Sequence, residues 1–299
     1  MAEHTFTDAD GVEVFYRSWP RADAKGVVVI AHGASEHSGR YDRFARALNA
    51  AGYAAYGIDH RGHGRTSAST GVGLAGPGGG GKMLDDVRDL VDRAATENPN
   101  APVIVFGHSM GSMIAQAYVQ TYGTGLAGYV LSGCPGPNPD VEAMKAGLQA
   151  AVDAGQGDAP LGGMLSAFNA SFEHRTGFEW LSRDAAEVDA YVADPYCGDN
   201  HPLTAGFFND LIGLSAPAME PAGIATIPTS LPVLMITGEC DPAAGMGASA
   251  RELEKRLRDA GLDVTARYYP DARHELLNET NRDAVTADVV RWLDEVVAG

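Results

Sequence analysis

The 299-residue chain is 45% apolar and 20% charged, which is an ordinary globular balance. A formal net charge of −17 excludes nucleic acid as a partner and argues against docking on anionic membranes. Three cysteines, Cys134, Cys197 and Cys240, are too few and too scattered for a disulfide framework or a metal knuckle, and they fit a reduced, cytoplasmic setting.

The N-terminal residues lack a basic region followed by an apolar run, so no signal peptide is expected. No stretch approaches the roughly 20 apolar residues of a spanning helix. Residues 6–8 and 12–16 flank Asp10-Gly11, a hairpin signal, and alternation in the second arm predicts an antiparallel edge with one wet face. Residues 27–31 form a buried strand ending at His32-Gly33. Tyr41, Phe44, Ala45 and Leu48 then share a helical face that Gly52 closes. Residues 53–58 give the next strand. A glycine-rich loop runs from 59 to 81, and Leu84, Val87, Val91 and Ala94 mark a helix stopped by Asn98-Pro99-Asn100.

Residues 103–106 are apolar and mostly β-branched, and 110–122 carry Met113, Ile114, Ala117 and Tyr118 at helical spacing. Between them stands Gly107-His108-Ser109-Met110-Gly111. Glycines at both flanks let a strand turn sharply into a helix, which lifts the Ser109 hydroxyl over the helix N-terminus, where negative charge is stabilised. Residues 126–132 add a strand. The alternation is that of a parallel sheet covered by helices on both faces.

From 135 to 229 no apolar strand is readable, only helical pieces cut by Pro and Gly. Alternation resumes with a strand at 232–238, a helix at 249–261, a strand at 264–269 and a last helix bearing Val285, Val289, Trp292, Leu293 and Val296. The chain therefore divides into a core of residues 1–134 and 230–299 and a helical insertion of residues 135–229. Such an insertion emerges at the carboxyl edge of the sheet, where open α/β sheets bind ligands, and is expected to form a lid over Ser109.

Serine is a poor nucleophile without a base, and the base needs an orienting acid. In this architecture the acid and then the histidine follow in loops just past later strands. Glu239-Cys240-Asp241-Pro242 follows one such strand and Asp271-Ala272-Arg273-His274 the next, so Asp241 and His274 fit, with Glu239 and Asp271 as rival carboxylates. Oxyanion donors are expected from the N–H of Met110 and, after the strand at 27–31, from Ala34.

Four weaker patterns carry no chemistry of their own. The run Gly76-Pro77-Gly78-Gly79-Gly80-Gly81-Lys82-Met83 lacks a feeding strand and a magnesium-binding hydroxyl, so it is a connection and not a phosphate loop. Asn278 stands where a zinc motif beginning at His274-Glu275 would need histidine. No metal or other cofactor is expected. Cys240 is expected to be buried as a small apolar residue, and Asp59 and Arg61 to fix their loop by pairing with each other.

The segment His32-Gly33-Ala34-Ser35-Glu36-His37-Ser38-Gly39-Arg40-Tyr41 resembles the H-G-x-x-E-H-S-G-R-Y signature of the monoacylglycerol lipase / lysophospholipase branch of the α/β-hydrolases. Asp59-His60-Arg61-Gly62-His63-Gly64-Arg65-Thr66-Ser67 is similar to that family's D-x-R-G-x-G-x-S loop, and residues 178–184, continuing to Asp194-Pro195, to lid sequence of bacterial members. The resemblance spans nearly the whole chain. It implies a mostly parallel eight-stranded sheet flanked by helices with a helical lid after the sixth strand, and a serine esterase or lipase. It also implies a Ser109–Asp241–His274 triad with Ala34 and Met110 as oxyanion hole.

The substrate expected is an acyl ester or monoacylglycerol. Met144, Leu148, Met164, Leu165, Phe168 and Phe172 of the insertion are expected to line an acyl slot, with Phe178 and Trp180 adding apolar bulk. The lid is expected to touch lipid surfaces at most transiently, and the oligomeric state is not readable. Rival readings are an iminopeptidase-like enzyme, with Glu36, Glu173 or Glu179 anchoring a substrate amine, and a non-catalytic ligand-binding module on the same scaffold.

Overall fold

The computed structural model describes residues 1–298. Eight strands form one sheet in the order β1-β2-β4-β3-β5-β6-β7-β8. They are β1 (Ala2–Thr7), β2 (Glu13–Trp19), β3 (Gly26–Ala31), β4 (Tyr53–Ile58), β5 (Val103–His108), β6 (Gly128–Ser132), β7 (Val233–Gly238) and β8 (Val264–Tyr269). β2 runs antiparallel to both neighbours, and every pairing from β4 to β8 is parallel.

The β1–β2 hairpin turns where the sequence places it. Asp8 Oδ1 accepts the N–H of Asp10 and of Val12, at 2.8 and 2.9 Å, and Gly11 takes φ +83°. The expected wet edge, however, is β1 and not β2. β2 is sandwiched between β1 and β4 and is buried from Val14 to Trp19. Its polar residues are covered because each finds a partner: Arg17 donates to Ser38 Oγ (2.8 Å) and Ser18 Oγ bonds the His4 ring (3.0 Å).

Side chains alternate across the pleat, so each central strand feeds two cores. Val27, Val29, Val105, Tyr129, Leu131, Val233 and Met235 face one side. There they meet α3 (Gly81–Glu97), α4 (Met110–Tyr122) and α9 (Ala248–Asp259) through Leu90, Ile114 and Leu253. Val28, Ile30, Ile104, Phe106, Val130 and Ile236 face the other, against α1 (Asp42–Ala50) and α10 (Arg282–Ala298) through Phe44, Leu48, Val289 and Trp292. A further turn of helix, α2 (Ser67–Thr70), lies in the loop after β4.

Between β6 and β7 the chain makes α5 (Val141–Asp153), α6 (Ala185–Ala193), α7 (Ala205–Ala218) and α8 (Pro221–Ile224), joined by short 3₁₀ turns. This segment has its own small core of Phe178, Trp180, Leu181, Val188, Tyr191 and Cys197. α7 packs on both α4 and α5 and is buried through Phe207, Leu211 and Ile212, whereas no residue of α5 is fully buried. Among the described residues no helix is long and apolar enough to cross a membrane.

Candidate active site

The site is assembled at the carboxyl ends of β3, β5, β7 and β8. After β5 the chain reverses at Ser109, which takes φ +52°, ψ −117°. A non-glycine residue there stores about 1–3 kcal/mol of strain. Neighbours hold it in place: Ser109 N–H donates to Ser132 O of β6 (2.9 Å) and Ser109 O accepts Ser112 N–H (2.9 Å). The flanking glycines are required by close approach. A Cβ on Gly107 would run into the Gly111 carbonyl, and one on Gly111 into the carbonyl of Ala31.

Past β7, Asp241 is fully buried, with Oδ1 accepting the N–H of Ala243 at 2.9 Å. Its Oδ2 lies 2.8 Å from Nδ1 of His274, in the loop past β8. Burial alone would lower the His274 pKa, but the Asp241 carboxylate, its hydrogen bond and the charges of Glu275 and Glu36 hold it above the ordinary value. Of the rival carboxylates, Glu239 pairs with Arg251 at the surface, and Asp271 occupies a left-handed turn position at φ +59°. The structure thus brings Asp241 and His274 together, with the His274 ring 4.8 Å from that of His108 in the elbow. No hydrogen bond joins Ser109 Oγ to His274 among the described residues. His108 itself is pushed down to about 4, first by burial and then by the His274 ring.

Ala34 follows β3, and Met110 starts α4. Both line the same cavity as Ser109, and among the described residues neither N–H donates to a protein acceptor. The loop carrying Ala34 is fixed from below. Glu36 Oε1 accepts Gly33 N–H (2.5 Å) and Tyr41 OH (2.8 Å), while Glu36 Oε2 accepts from Arg40 (2.6 Å). Arg40 also bonds Glu275, the neighbour of His274, at 2.7 Å. Burial opposes the Glu36 charge, but Arg40, His108, His32 and the Gly33 N–H together outweigh it, so the Glu36 carboxyl stays well below the usual range. Glu36 and Arg40 are four residues apart, but the link from Arg40 to Glu275 carries no adjacency signal in the sequence. Removing the guanidinium strands two buried carboxylates, so Arg40→Ala is expected to cost about 3–5 kcal/mol of stability, measurable by urea denaturation at neutral pH.

The cavity above Ser109 has a volume of about 480 Å³. Met144, Met164, Leu165, Phe168 and Trp180 of the segment between β6 and β7 are on its wall. Leu148 and Phe172 lie off it. Leu148 is one turn beyond Met144 on α5, and Phe172 packs beneath the Arg273 guanidinium, 4.7 Å from its ring centre. The wall also contains Met113, Phe208, Leu211, Ile212 and Met219, which sequence reasoning missed. The apolar pairs Phe207-Phe208 and Leu211-Ile212, at helical spacing, were the available signal.

Asp59 and Arg61 do not pair with each other. Asp59 accepts from Ser38 N–H (2.9 Å) and Arg17 (3.3 Å), while Arg61, fully buried, pairs with Asp86 (2.8 Å) and Asp8. Each is taken up by partners from other segments instead. Cys240 is half-buried, less than expected, whereas Cys134 and Cys197 are buried. Potential ligand atoms of His37, Asp194 and Cys197 lie within 4.8 Å of one another. There Gly39 N–H donates to His37 Nδ1, which places the ring proton on Nε2, toward Asp194 Oδ2 at 3.1 Å.

The sequence profile of the family described as "Serine aminopeptidase, S33" matches residues 22–281. A monoacylglycerol lipase of Mycolicibacterium smegmatis is 36% identical, covering 98% of this chain and 96% of its own. Mouse monoglyceride lipase is 28% identical over 92% of this chain and 87% of its own. Among solved structures, a thermostable carboxyl esterase from Bacillus coagulans in complex with glycerol superposes with TM-score 0.92 at 27% identity, covering 99% of this chain and 98% of its own. A lipase in an open form gives 0.88 at 30% identity, with 99% of both chains covered. The chain belongs to the serine aminopeptidase S33 family, within the monoacylglycerol lipase branch of the α/β-hydrolases, and is a serine hydrolase that acts on carboxylic ester bonds.

Proposed function

We propose that the protein cleaves acyl monoesters of the monoacylglycerol class through an acyl-enzyme on Ser109. The observation that carries this reading is the wall around Ser109: Met113, Met144, Met164, Leu165, Phe168 and Leu211 surround it with apolar surface. In this mechanism neutral His274 takes the Ser109 proton as Oγ attacks the ester carbonyl. The N–H groups of Ala34 and Met110 receive the oxyanion. Asp241 holds the imidazole with its proton on Nδ1 and stabilises the imidazolium. His274 then protonates the leaving alcohol, and water resolves the acyl-enzyme by the same steps. Residues 135–229 act as the lid, which touches lipid surfaces at most transiently.

The peptidase reading needs a free carboxylate near Ser109 for a substrate amine. Glu36 is engaged by Arg40 and Tyr41, Glu179 by Thr176 and Asn169, and Glu173 by Arg273. Glu220, the carboxylate on the cavity wall, pairs with Arg256 at 3.1 Å. These pairings favour a neutral ester. A buried methylene is worth about 0.8 kcal/mol. Catalytic efficiency is therefore expected to rise from acetyl to medium-chain esters by roughly 3-fold to 4-fold per methylene at most, then flatten as the slot fills. Monoolein should be cleaved faster than triolein, because a covered site leaves little room for two further chains. The measurement is a p-nitrophenyl ester series below micelle formation, with mono-, di- and triolein alongside. A preference for acetyl esters, or for triolein over monoolein, would reject the acyl slot.

A further inference from the structure

We propose that His32 is a positioning residue that sets the peptide plane from which the oxyanion-hole N–H of Ala34 projects. The inference rests on the oxyanion reading of Ala34 given above. His32 Nδ1 lies 2.7 Å from Gly33 O, and His32 Nε2 lies 3.0 Å from the backbone N of His60. The two partners decide the tautomer. The carbonyl can only accept and the amide N–H can only donate, so the ring proton sits on Nδ1 and Nε2 is the acceptor.

The carbonyl of Gly33 and the N–H of Ala34 belong to one peptide unit. That unit is planar and trans, so its C=O and N–H point in opposite directions. Pulling the oxygen toward the buried imidazole turns the N–H the other way, into the cavity that Ala34 shares with Ser109. Glu36 Oε1 holds the preceding peptide by accepting Gly33 N–H, so the plane is pinned on both sides of Gly33. Only glycine fits between the pins: a Cβ there would stand 2.8 Å from Glu36 Oε1 and 3.2 Å from Ser109 Cβ. A hydrogen bond accepted by the carbonyl also polarises the amide, which strengthens its N–H as a donor.

The ring is enclosed, fully buried, with the His60 ring 4.6 Å and the His63 ring 5.2 Å away. Burial lowers the His32 pKa, and the opposing charges of Glu36 and Asp59 do not restore it, so the neutral ring required by this bonding pattern is the stable form. His60 acts through its backbone and locks the tautomer from the β4 side.

The test compares His32→Asn with His32→Gln. Asparagine can keep a donor near the Nδ1 position, whereas glutamine places its amide near Nε2. His32→Asn is expected to stay close to wild-type kcat. His32→Gln is expected to lose roughly 10-fold to 100-fold in kcat with little change in KM, part of the loss seen when an oxyanion donor is deleted outright. Affinity for an alkyl boronic acid should fall with kcat. Equal kcat in folded Asn and Gln variants overturns the proposal.

The wild-type enzyme gives a test that needs no variant. Nitrogen-15 NMR should show His32 protonated at Nδ1 and bare at Nε2, and the opposite tautomer overturns the proposal. A crystal structure of the wild-type boronate adduct separates the two readings. A boronate oxygen bonded to Ala34 N supports the oxyanion reading whatever His32 does. An oxygen placed elsewhere sinks that reading first.

Discussion

Replacing Ser109 with alanine is expected to lower kcat by about 10⁶-fold while leaving the fold intact, because members of a catalytic triad act as a unit and the nucleophile has no substitute. The fold should survive on two grounds. Ser109 Oγ makes no hydrogen bond among the described residues, and the strained backbone is held by main-chain bonds to Ser132 and Ser112 that alanine keeps. The residual rate should come from the oxyanion donors alone. Hydrolysis of a p-nitrophenyl butyrate standard, read beside a thermal melt, decides it. A folded variant with near-normal turnover would remove Ser109 from the mechanism.

Asp241→Asn is expected to cost about 10⁴ in kcat, since asparagine leaves the wrong tautomer on His274. It should also move the pH profile, with a definite sign. His274 must be neutral to act as base. Its pKa is raised because the Asp241 charge and hydrogen bond, with the charges of Glu275 and Glu36, outweigh burial, so the acid limb of kcat/KM should lie above the ordinary histidine value of about 6.5. Removing the carboxylate leaves burial in command, and the limb should shift to lower pH. Glu239→Gln is the control, because Glu239 spends its charge on Arg251 at the surface. A larger loss in that control than in Asp241→Asn would mean that the wrong carboxylate of the loop had been chosen.

The parts legible in the sequence are those whose physics is local. Residues 27–31 and 103–106 are apolar because both faces of a central parallel strand are buried, and the elbow after β5 needs its glycines for steric reasons that hold wherever the fold occurs. Position just past a strand was enough to bring Asp241 and His274 to one hydrogen bond. What stayed hidden depends on packing between distant segments. The arm at 12–16 reads as half-wet because Glu13 alternates with apolar neighbours, yet the strand runs on to Trp19 and lies between β1 and β4, where Ser38, Asp59 and His4 pair with Arg17 and Ser18. The choice of Leu148 and Phe172 as cavity residues followed from apolar bulk alone. Which side of α5 or of a 3₁₀ turn meets the cavity depends on how the insertion sits, and α7 with Phe208 and Ile212 supplies much of the wall instead. The Arg40–Glu275 pair joins residues more than two hundred positions apart, beyond any periodic pattern.

The insertion between β6 and β7 is fastened unevenly, and this divides it into two parts with different freedom to vary. Its stretch at 179–183 is stitched to the loop that carries His274. Trp180 O accepts His274 N–H (3.3 Å), Leu181 O accepts Glu275 N–H (2.7 Å), Glu179 O accepts from Arg273 (2.6 Å), and Arg183 pairs with Glu279 (2.9 Å). A substitution that shifts this stretch would shift the loop that carries His274, so under the proposed mechanism turnover and the shape of the insertion would depend there on the same atoms. α5 has no such ties and no fully buried residue, yet it places Val141 and Met144 on the cavity wall. Under the proposed function, substitutions in α5 should alter substrate range while leaving the chemistry beneath undisturbed.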